Sequence, residues 1–284
     1  MKRWITFLNE RAPLPAVLTI GAGVSLSAVY LAGHFDPNAV LLGMLAQALF
    51  LVLLRVMDER KDFEKDKVAH PERPLPRGLV TVAEVDRAIA ILAVAMFAMA
   101  AIVGWRVNVV AGGFLAVGAV YLWLMFKEFY VGERLAQFPM VYALSHQIIE
   151  YPIYGFVVVL VRPDMAFTLL MIGWIAMNIG SSMTFEIARK LDPAAAPILK
   201  TYLSVYGPAK TAVLLAVFTI LAGVGSYAIG ILPLTIPFEL FCLATLPVLF
   251  KAPHKHQIVL GAAALSSFVH VWAVAFHAWL GWPR

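Results

Sequence analysis

Nine long apolar segments recur along the 284-residue chain and constrain its fold more than any other feature. Each has about the 17–25 residues that an α-helix needs to cross the hydrocarbon core of a bilayer. Because a backbone in lipid must satisfy its own hydrogen bonds, the pattern predicts an all-α membrane protein, a bundle of nine transmembrane helices. The segments are residues 15–33, 39–57, 88–105, 109–126, 140–161, 166–185, 211–229, 232–250 and 258–282.

The distribution of charge predicts the orientation of this bundle. Only 14% of the residues are charged, against about 25% in soluble proteins. Most Lys and Arg residues fall in the N-terminal tail and in every second loop, whereas the other side receives only Arg106, Arg162 and Arg284. The positive-inside rule therefore predicts a cytoplasmic N-terminus and an outside C-terminus, in a multi-pass protein of a bacterial inner membrane. The net charge of +5 reflects this topology and contact with membrane lipid, and does not indicate nucleic-acid binding.

The chain is predicted to form a single transmembrane domain over residues 1–284, since no repeat, linker or low-complexity stretch divides it. The lone cysteine, Cys242, cannot form an intramolecular disulfide. His270 and His277 share one face of the last segment, and no acidic partner is visible for them in the sequence. We therefore expect both histidines to be packing or interfacial residues.

The first loop between apolar segments that is rich in charge reads "DERKDFEKDKVAHPERPLPRG", residues 58–78. Asp58, Asp62 and Asp66 recur every four residues, which stacks them along one face of a helix, with Glu59 on the flank. Carboxylate oxygens suit Mg²⁺, which is commonly bound by one or two carboxylates together with phosphate oxygens and water. The spacing predicts these four acids as metal ligands. The alternative is a solvated charged helix, whose basic residues offset the acids through pairs three or four residues apart.

Two arginines follow the acids in the same loop. Arg73 and Arg77 bracket two prolines in "RPLPRG", which restrict the path of the backbone. Because guanidinium groups pair with phosphate in a bidentate manner, we expect both arginines to bind a diphosphate beside the metal.

The stretch "DERKDFEKD" followed by "RPLPRG" resembles the first aspartate-rich motif of the UbiA superfamily of intramembrane prenyltransferases. That motif has the form N-D-x-x-D-x-x-x-D and leads into an R-P-x-P-x-G loop. Asp62 and Asp66 match it, whereas Asp58 stands in place of the usual Asn and Glu59 in place of the first Asp. The resemblance implies nine transmembrane helices and a cytoplasmic active site, formed here by the loops 58–80, 127–138 and 186–208.

The family carries a second acidic motif at the end of its sixth helix, where this chain reads "NIGSSMTFEIARKLDP". We expect Glu186 to be a metal ligand, while Arg189 and Lys190 occupy places where acids would be expected and are predicted to bind the diphosphate directly. Asn178 and Ser182 lie on the same helix face as Glu186 and are predicted to line the pocket. The alternative is that this half of the site has decayed and the protein no longer catalyses a reaction.

A lysine at the end of the fourth segment is a further candidate. The family has Y-x-x-x-K here, with the lysine near the diphosphate. Lys127 matches the lysine, but Trp123 occupies the tyrosine position. Lys127 is predicted to bind the diphosphate and to assist catalysis, and the alternative is an ordinary lysine extending to the membrane surface.

Three polar residues lie four positions apart in the fifth segment: Tyr142, His146 and Glu150. A His–Glu pair in an apolar segment is costly unless the two side chains are paired or hydrated. His146 and Glu150 are predicted to orient or deprotonate an acceptor hydroxyl, with Tyr142 lining the pocket. The alternative is a structural hydrogen-bonded pair that joins two helices.

The resemblance implies Mg²⁺-dependent transfer of a prenyl group from an isoprenyl diphosphate to a lipophilic or amphiphilic acceptor in the membrane. Two other functions remain open at this stage. A terpene cyclase would ionise the same diphosphate and capture the cation internally. A non-catalytic lipid-binding or transport protein would retain the site only as a relic.

Overall fold

The computed structural model describes residues 2–281, and within this range the chain is helical, without strands. The end of the ninth predicted segment at Trp282, and Arg284, lie outside the described residues. The helices are α1 (Lys2–Arg11), α2 (Leu14–Leu31), α3 (Pro37–Lys61), α4 (Phe63–Ala69), α5 (Val82–Arg106), α6 (Val109–Phe126), α7 (Gly132–Leu135), α8 (Pro139–Gln147), α9 (Glu150–Val161), α10 (Leu169–Ala188), α11 (Tyr202–Ala228), α12 (Leu232–Thr245), α13 (Val248–Lys251) and α14 (Gln257–Trp279).

Eight helical stretches among residues 2–281 are long and apolar enough to cross a membrane. They are α2, α3, α5, α6, Pro139–Val161, α11, Leu232–Lys251 and Pro253–Trp279, and they correspond to eight of the nine predicted segments. The remaining segment, 166–185, forms α10, which has 20 residues but carries Asn178, Ser181, Ser182 and Thr184. These polar residues lower its apolar content, so the count of nine spans remains a prediction.

Side-chain caps set where several of these helices begin. Asp36 accepts a hydrogen bond from the Asn38 backbone N–H at the start of α3, over 2.8 Å. Thr81 and Glu84 form a reciprocal capping box at the start of α5. Such caps satisfy backbone N–H groups that the first turn of a helix leaves unpaired.

The lipid-facing surface is apolar. Large side chains such as Val94 on α5, Val109 on α6 and Val213 on α11 are more than half exposed. A soluble monomer rarely presents such extended apolar surface, whereas a bilayer favours it. This surface agrees with an integral membrane protein.

Helix α10 lies in the interior of the bundle and packs closely against α11. A Cβ atom added to Gly180 would lie 2.4 Å from the Ala222 backbone nitrogen, and one added to Gly225 would lie 2.4 Å from that of Met177. Small residues let the two backbones approach, as is usual between membrane helices. The close packing fixes the position of the polar face of α10.

Candidate active site

Acidic residues at the end of α3 form the centre of the site. The helix ends at Lys61, Asp62 follows in a non-helical conformation, and α4 begins at Phe63. Asp58 Oδ2 lies 3.4 Å from Arg55 Nη1, and its Oδ1 lies 3.5 Å from Lys61 Nζ. These long contacts leave the Asp58 carboxylate only loosely paired.

Asp62 makes no side-chain hydrogen bond or ion pair with any other residue between 2 and 281. Burial raises the pKa of its carboxyl group, and the negative charges of Asp58 and Asp66 raise it further, while Lys61 opposes them. A carboxylate held among other acids in a partly desolvated position is stabilised by a bound cation. Asp62 is therefore the most suitable metal ligand in the loop.

Glu59 faces away from this centre and is fully buried. Its Oε2 lies 2.6 Å from Arg11 Nε, and its Oε1 accepts a hydrogen bond of 3.0 Å from the Leu75 backbone N–H. Glu59 thus joins the end of α3 both to the amphipathic N-terminal helix α1 and to the "RPLPRG" loop. Both of its oxygens are engaged by the protein.

The two loop arginines are also engaged by carboxylates. Arg73 Nη1 donates to Asp66 Oδ2 over 2.6 Å, and Asp66 is only 2% exposed. Arg77 donates to both carboxylate oxygens of Glu10 on α1, at 2.8 and 2.9 Å. The structure therefore brings Arg73 together with Asp66, but directs Arg77 towards α1 at the surface.

The end of α10 brings one acid and two cations together. Glu186 forms a short ion pair with Arg189, and its Oε1 lies 2.7 Å from Lys190 Nζ. Lys190 Nζ also lies 6.0 Å from the centre of the Tyr202 ring. The cluster carries a net positive charge because two cations surround one carboxylate.

Electrostatic coupling connects the ends of α3 and α10. Burial opposes the charge of Arg189, but Glu186 and, more weakly, Asp58 raise the pKa of Arg189 above its usual value. Lys61 Nζ lies 5.8 Å from the centre of the Tyr142 ring on α8, so α3 also reaches the helix that precedes α9. Asp58 at the end of α3 and Arg189 at the end of α10 therefore act on each other.

His146 on α8 presents one free ring nitrogen to the interior. Its Nδ1 lies 2.8 Å from the Tyr142 carbonyl oxygen, which can only accept, so Nδ1 carries the proton. Nε2, which is an acceptor in the neutral imidazole, is buried and has no hydrogen-bond partner among residues 2–281. The Tyr142 ring stacks on the imidazole at 4.2 Å, and its hydroxyl donates to Glu128 over 3.3 Å. His146 is thus oriented as a hydrogen-bond acceptor or base.

Glu150 begins α9 after a break in the helix at residues 148–149, within the apolar part of the bundle. Its side chain interacts with Ser182 on α10, while its Oε2 has no hydrogen-bond partner in the described part of the chain. Asn178, one turn from Ser182, is fully buried and donates to the Trp174 carbonyl, leaving its Oδ1 unpaired. Buried polar atoms without partners are rare, and here one lies on α9 and one on α10, two helices that pack together.

Lys127 lies at the end of α6 in a separate setting. Its Nζ is 5.1 Å from the Trp123 ring centre and 4.8 Å from that of Phe126. Lys127, Lys61 and Arg60 are among the residues that line a cavity of about 500 Å³, here called the side cavity. Lys127 therefore shares a cavity with Lys61, which contacts Asp58. Among residues 2–281, Lys127 itself makes no ion pair with the acids of α3.

Lys61 is the site residue that sequence reasoning missed. The sequence pattern indicates only a counter-charge for the loop acids at this position, whereas Lys61 contacts Asp58, faces Tyr142 and lines the cavity that contains Lys127. Its position one residue before Asp62 was the available signal. The Tyr202 hydroxyl, on the residue whose ring faces Lys190, is buried and has no hydrogen-bond partner among residues 2–281.

The sequence matches the profile of the UbiA prenyltransferase family over residues 16–257. The chain belongs to the UbiA prenyltransferase family. A digeranylgeranylglyceryl phosphate synthase of known structure is similar, with a TM-score of 0.63 and 17% identity over 96% of this chain and 99% of that one. The apo structure of a UbiA homologue from Aeropyrum pernix K1 is similar with a TM-score of 0.65 and 15% identity, over 94% and 98%. A comparison with curated protein sequences gives no match.

These comparisons confirm the family and the UbiA-type helical fold. At the level of the family, the activity is prenyl transfer within the membrane, from a prenyl diphosphate to a lipophilic acceptor. The family generally uses Mg²⁺ bound by Asp-rich motifs.

The residues at the end of α3 fit one Mg²⁺ ion better than several. Among residues 2–281, no three Asp, Glu, His or Cys side chains lie close enough together to form a metal centre. Asp58 and Asp62 remain loosely paired or unpaired, and two carboxylates with phosphate oxygens and water suffice for Mg²⁺. Glu59, Asp66 and Glu186 are each held by cations of the protein.

The raised pKa of Asp62 predicts the pH dependence of metal binding. Only the ionised carboxylate binds the ion, so Mn²⁺ affinity should fall on acidification at a higher pH than for an ordinary aspartate with a pKa of about 3.9. Lys65 lowers this pKa, and Lys65→Met should therefore move the midpoint to still higher pH. Mn²⁺ binding measured by electron paramagnetic resonance (EPR) against pH tests this. Lys67→Met, which removes a lysine paired with Glu64, should leave the midpoint unchanged.

Proposed function

We propose that this protein transfers a prenyl group from an isoprenyl diphosphate to a lipophilic or amphiphilic acceptor, in a Mg²⁺-dependent reaction at the cytoplasmic end of the bundle. The observation that carries the proposal is the unpaired Asp62, which lies beside Asp58, an acid that interacts electrostatically with Arg189 at the end of α10. The unpaired carboxylate calls for a bound metal ion, and the excess positive charge of Arg189 and Lys190 calls for an anion. A diphosphate bound to a metal ion satisfies both.

Asp58 and Asp62 are proposed to hold the ion, which would neutralise charge developing on the leaving diphosphate as the allylic C–O bond breaks. Lys61 stabilises the same negative charge from the adjacent position on α3. Prepositioned charges of this kind act without reorganisation during the reaction, and one of them commonly contributes about 10²–10³ in rate.

Arg189 and Lys190 are proposed to bind the diphosphate directly. Their contacts with Glu186 hold them in place, since both cations share that carboxylate. Glu186 is then a positioning residue in our proposal, and the two cations do what a second metal ion would otherwise do. Lys127 adds positive charge beside Lys61 at the side cavity and is proposed to attract the diphosphate.

The loop residues around Asp62 are proposed to shape the site. Glu59 anchors the loop through its contacts with Arg11 and Leu75. Arg73 holds Asp66 through the 2.6 Å ion pair and reaches the diphosphate only if that pair opens. Arg77 forms an ion pair with Glu10 on α1 and is proposed to act at a distance from the reacting atoms.

His146 and Glu150 are proposed to bind the acceptor. Each presents an unpaired acceptor atom inside the bundle, His146 Nε2 and Glu150 Oε2. A hydroxyl group of the acceptor could donate to either atom and lose its proton there as the new bond to the prenyl carbon forms. Asn178 and Ser182 border the same region on α10, and Tyr142 orients His146.

The proposed function is tested with the purified protein in lipid nanodiscs. Labelled geranyl, farnesyl and geranylgeranyl diphosphates are supplied with Mg²⁺ and a lipid extract. We expect diphosphate release coupled to a labelled prenylated lipid, and neither product without the metal. A hydrocarbon formed without an acceptor would identify a cyclase, and no turnover of any donor would favour a non-catalytic binding protein.

Lys190→Met is expected to weaken binding of a prenyl thiodiphosphate by about tenfold or more, because one charge-assisted hydrogen bond is worth about 1.5–3 kcal/mol. Isothermal titration calorimetry with Mg²⁺ present measures the affinity. Lys200→Met, in the same loop but without contacts to Glu186, is the control and should bind normally. Unchanged affinity in Lys190→Met would remove this residue from the site.

His146→Phe is expected to lower transfer to the acceptor by about 10²-fold or more, while leaving ionisation of the donor largely intact. Stopped assays that count diphosphate released and prenylated product separately measure the two steps. Released diphosphate should then exceed transferred prenyl groups. Equal losses of both would contradict a role confined to the acceptor.

A further inference from the structure

The turn that follows α6 has a strained backbone. Glu128, Phe129 and Tyr130 have φ values of 49°, 53° and 58°, so all three lie in the left-handed region. This region is unfavourable for side chains other than glycine, and other residues enter it singly, not in runs. Strained conformations persist only where the surrounding structure holds them, and they concentrate at functional sites. We therefore expect side chains of this turn to take part in the site.

Two side chains of this turn contact the surroundings of His146. The Phe129 ring lies edge-on to the His146 imidazole, with 5.8 Å between the ring centres, and edge-on to the Tyr121 ring at 5.4 Å. Glu128 Oε1 accepts a hydrogen bond of 3.3 Å from the Tyr142 hydroxyl. These contacts hold the turn in its left-handed conformation and place a carboxylate beside Tyr142.

Tyr142 determines the orientation of the His146 ring. His146 Nδ1 lies 2.8 Å from the Tyr142 carbonyl oxygen, and the stacking of the two rings, 4.2 Å apart, fixes the plane of the imidazole. Lys61 also approaches the Tyr142 ring, at 5.8 Å, but its ammonium group is paired with Asp58. A phenol has a single proton, so the hydrogen bond to Glu128 fixes the direction of the Tyr142 hydroxyl. Glu128 therefore supports the ring on which His146 stacks.

Gly132 leaves room for the Glu128 carboxylate. A Cβ atom added to Gly132, the first residue of α7, would clash with Glu128 Oε2. Gly132 does not have a positive φ, so the space and not the backbone conformation calls for glycine here. The carboxylate is the end of a flexible side chain, so an alanine at position 132 would turn it away while the backbone keeps its path. Substitution of Gly132 therefore changes the position of the carboxylate without removing it.

We propose that Glu128 is a positioning residue for the acceptor half of the reaction. Its carboxylate holds Tyr142, and Tyr142 holds the His146 ring in the orientation that meets the acceptor hydroxyl. The left-handed turn and Gly132 place the carboxylate where it reaches Tyr142. The inference rests on the proposed function of His146. Glu128 itself touches neither the donor nor the metal ion, so its loss should affect transfer to the acceptor and spare ionisation of the donor.

Two variants reach the same carboxylate by different routes: Glu128→Ala removes it and Gly132→Ala displaces it. Both should lower prenyl transfer by about tenfold or more, because a small misplacement of a reacting group is costly. Release of diphosphate, counted separately, should be largely retained, which also shows that the variants are folded. Glu128→Gln keeps an oxygen that accepts from the Tyr142 hydroxyl and should recover most of the transfer. Glu133→Ala, at an exposed neighbouring position, is the control and should transfer normally.

A second measurement is independent of turnover. Mass spectrometry follows the modification of His146 by diethyl pyrocarbonate in nanodiscs without substrates. His146 should react several-fold faster in Glu128→Ala and Gly132→Ala, because its ring is no longer held in the stack, with the exposed His254 as internal reference.

Unchanged His146 reactivity or unchanged transfer in both alanine variants would overturn the proposal, and so would equal losses of transfer in Glu128→Ala and Glu128→Gln. If the unmodified protein transfers no prenyl group, the proposed function fails. The reactivity of His146 then decides alone whether Glu128 positions the ring.

Discussion

Asp62→Asn is expected to lower the rate of prenyl diphosphate consumption by about 10²–10³. The amide keeps the size and the neutral hydrogen-bonding capacity of the side chain but removes the negative charge that the metal ion needs. The fold should not suffer, because Asp62 makes no ion pair or hydrogen bond that the change would break among residues 2–281. Release of diphosphate, followed under saturating donor, measures the effect.

Glu64→Gln is the matched control for this prediction. Glu64 belongs to the same charged loop, but its side chain is 80% exposed and pairs with Lys67. This variant should retain the full rate. Equal rates in Asp62→Asn and the unmodified protein would exclude Asp62 as a metal ligand.

Glu59→Ala is expected to destabilise the protein by about 3–5 kcal/mol, because it leaves the Arg11 charge without its buried partner. It also removes the acceptor of the Leu75 backbone N–H. Thermal unfolding in detergent should occur on the order of 10 °C lower. The reason is structural, so metal binding per folded molecule should change much less than in Asp62→Asn.

Glu10→Ala provides the comparison on the same N-terminal helix. The ion pair of Glu10 with Arg77 is exposed to solvent on both sides, and such pairs contribute little to stability. This variant should unfold close to the temperature of the unmodified protein. A Glu59→Ala protein as stable as Glu10→Ala would show that Glu59 does not anchor the loop.

The fold was largely predictable because the length of an apolar segment directly reflects the thickness of a bilayer. Eight predicted spans coincide with helices of sufficient length and apolarity. Helix α10 departs from the rule because Asn178, Ser182 and Glu186, which make it a candidate for the site, reduce its apolar character. Helix α1 was not predicted, since its stability depends on ion pairs with residues distant in the sequence, such as Glu59 and Glu84.

The types of residue in the candidate site were predictable, but the side chains that these residues contact were not. The four-residue spacing predicted a shared region for the acids of the loop, and Asp58 and Asp66 do act electrostatically on Asp62, whereas Glu59 faces Arg11 instead. Spacing contains no information about such partners from other helices. The partner of Glu59 lies 48 positions away. Such contacts decide whether a carboxylate is free to bind a metal ion, and only the packed bundle reveals them.

The number of metal ions bound together with the donor tests the central claim most directly. Mn²⁺ replaces Mg²⁺, a prenyl thiodiphosphate replaces the donor, and EPR counts the ions bound and reports their coupling to phosphorus. One ion per chain, coupled to the diphosphate and lost in Asp62→Asn, is the predicted result. Two bound ions would contradict the account, and so would diphosphate binding of full strength without any metal. In either case the diphosphate would not be bound jointly by one metal ion on the α3 carboxylates and by the cations of α10.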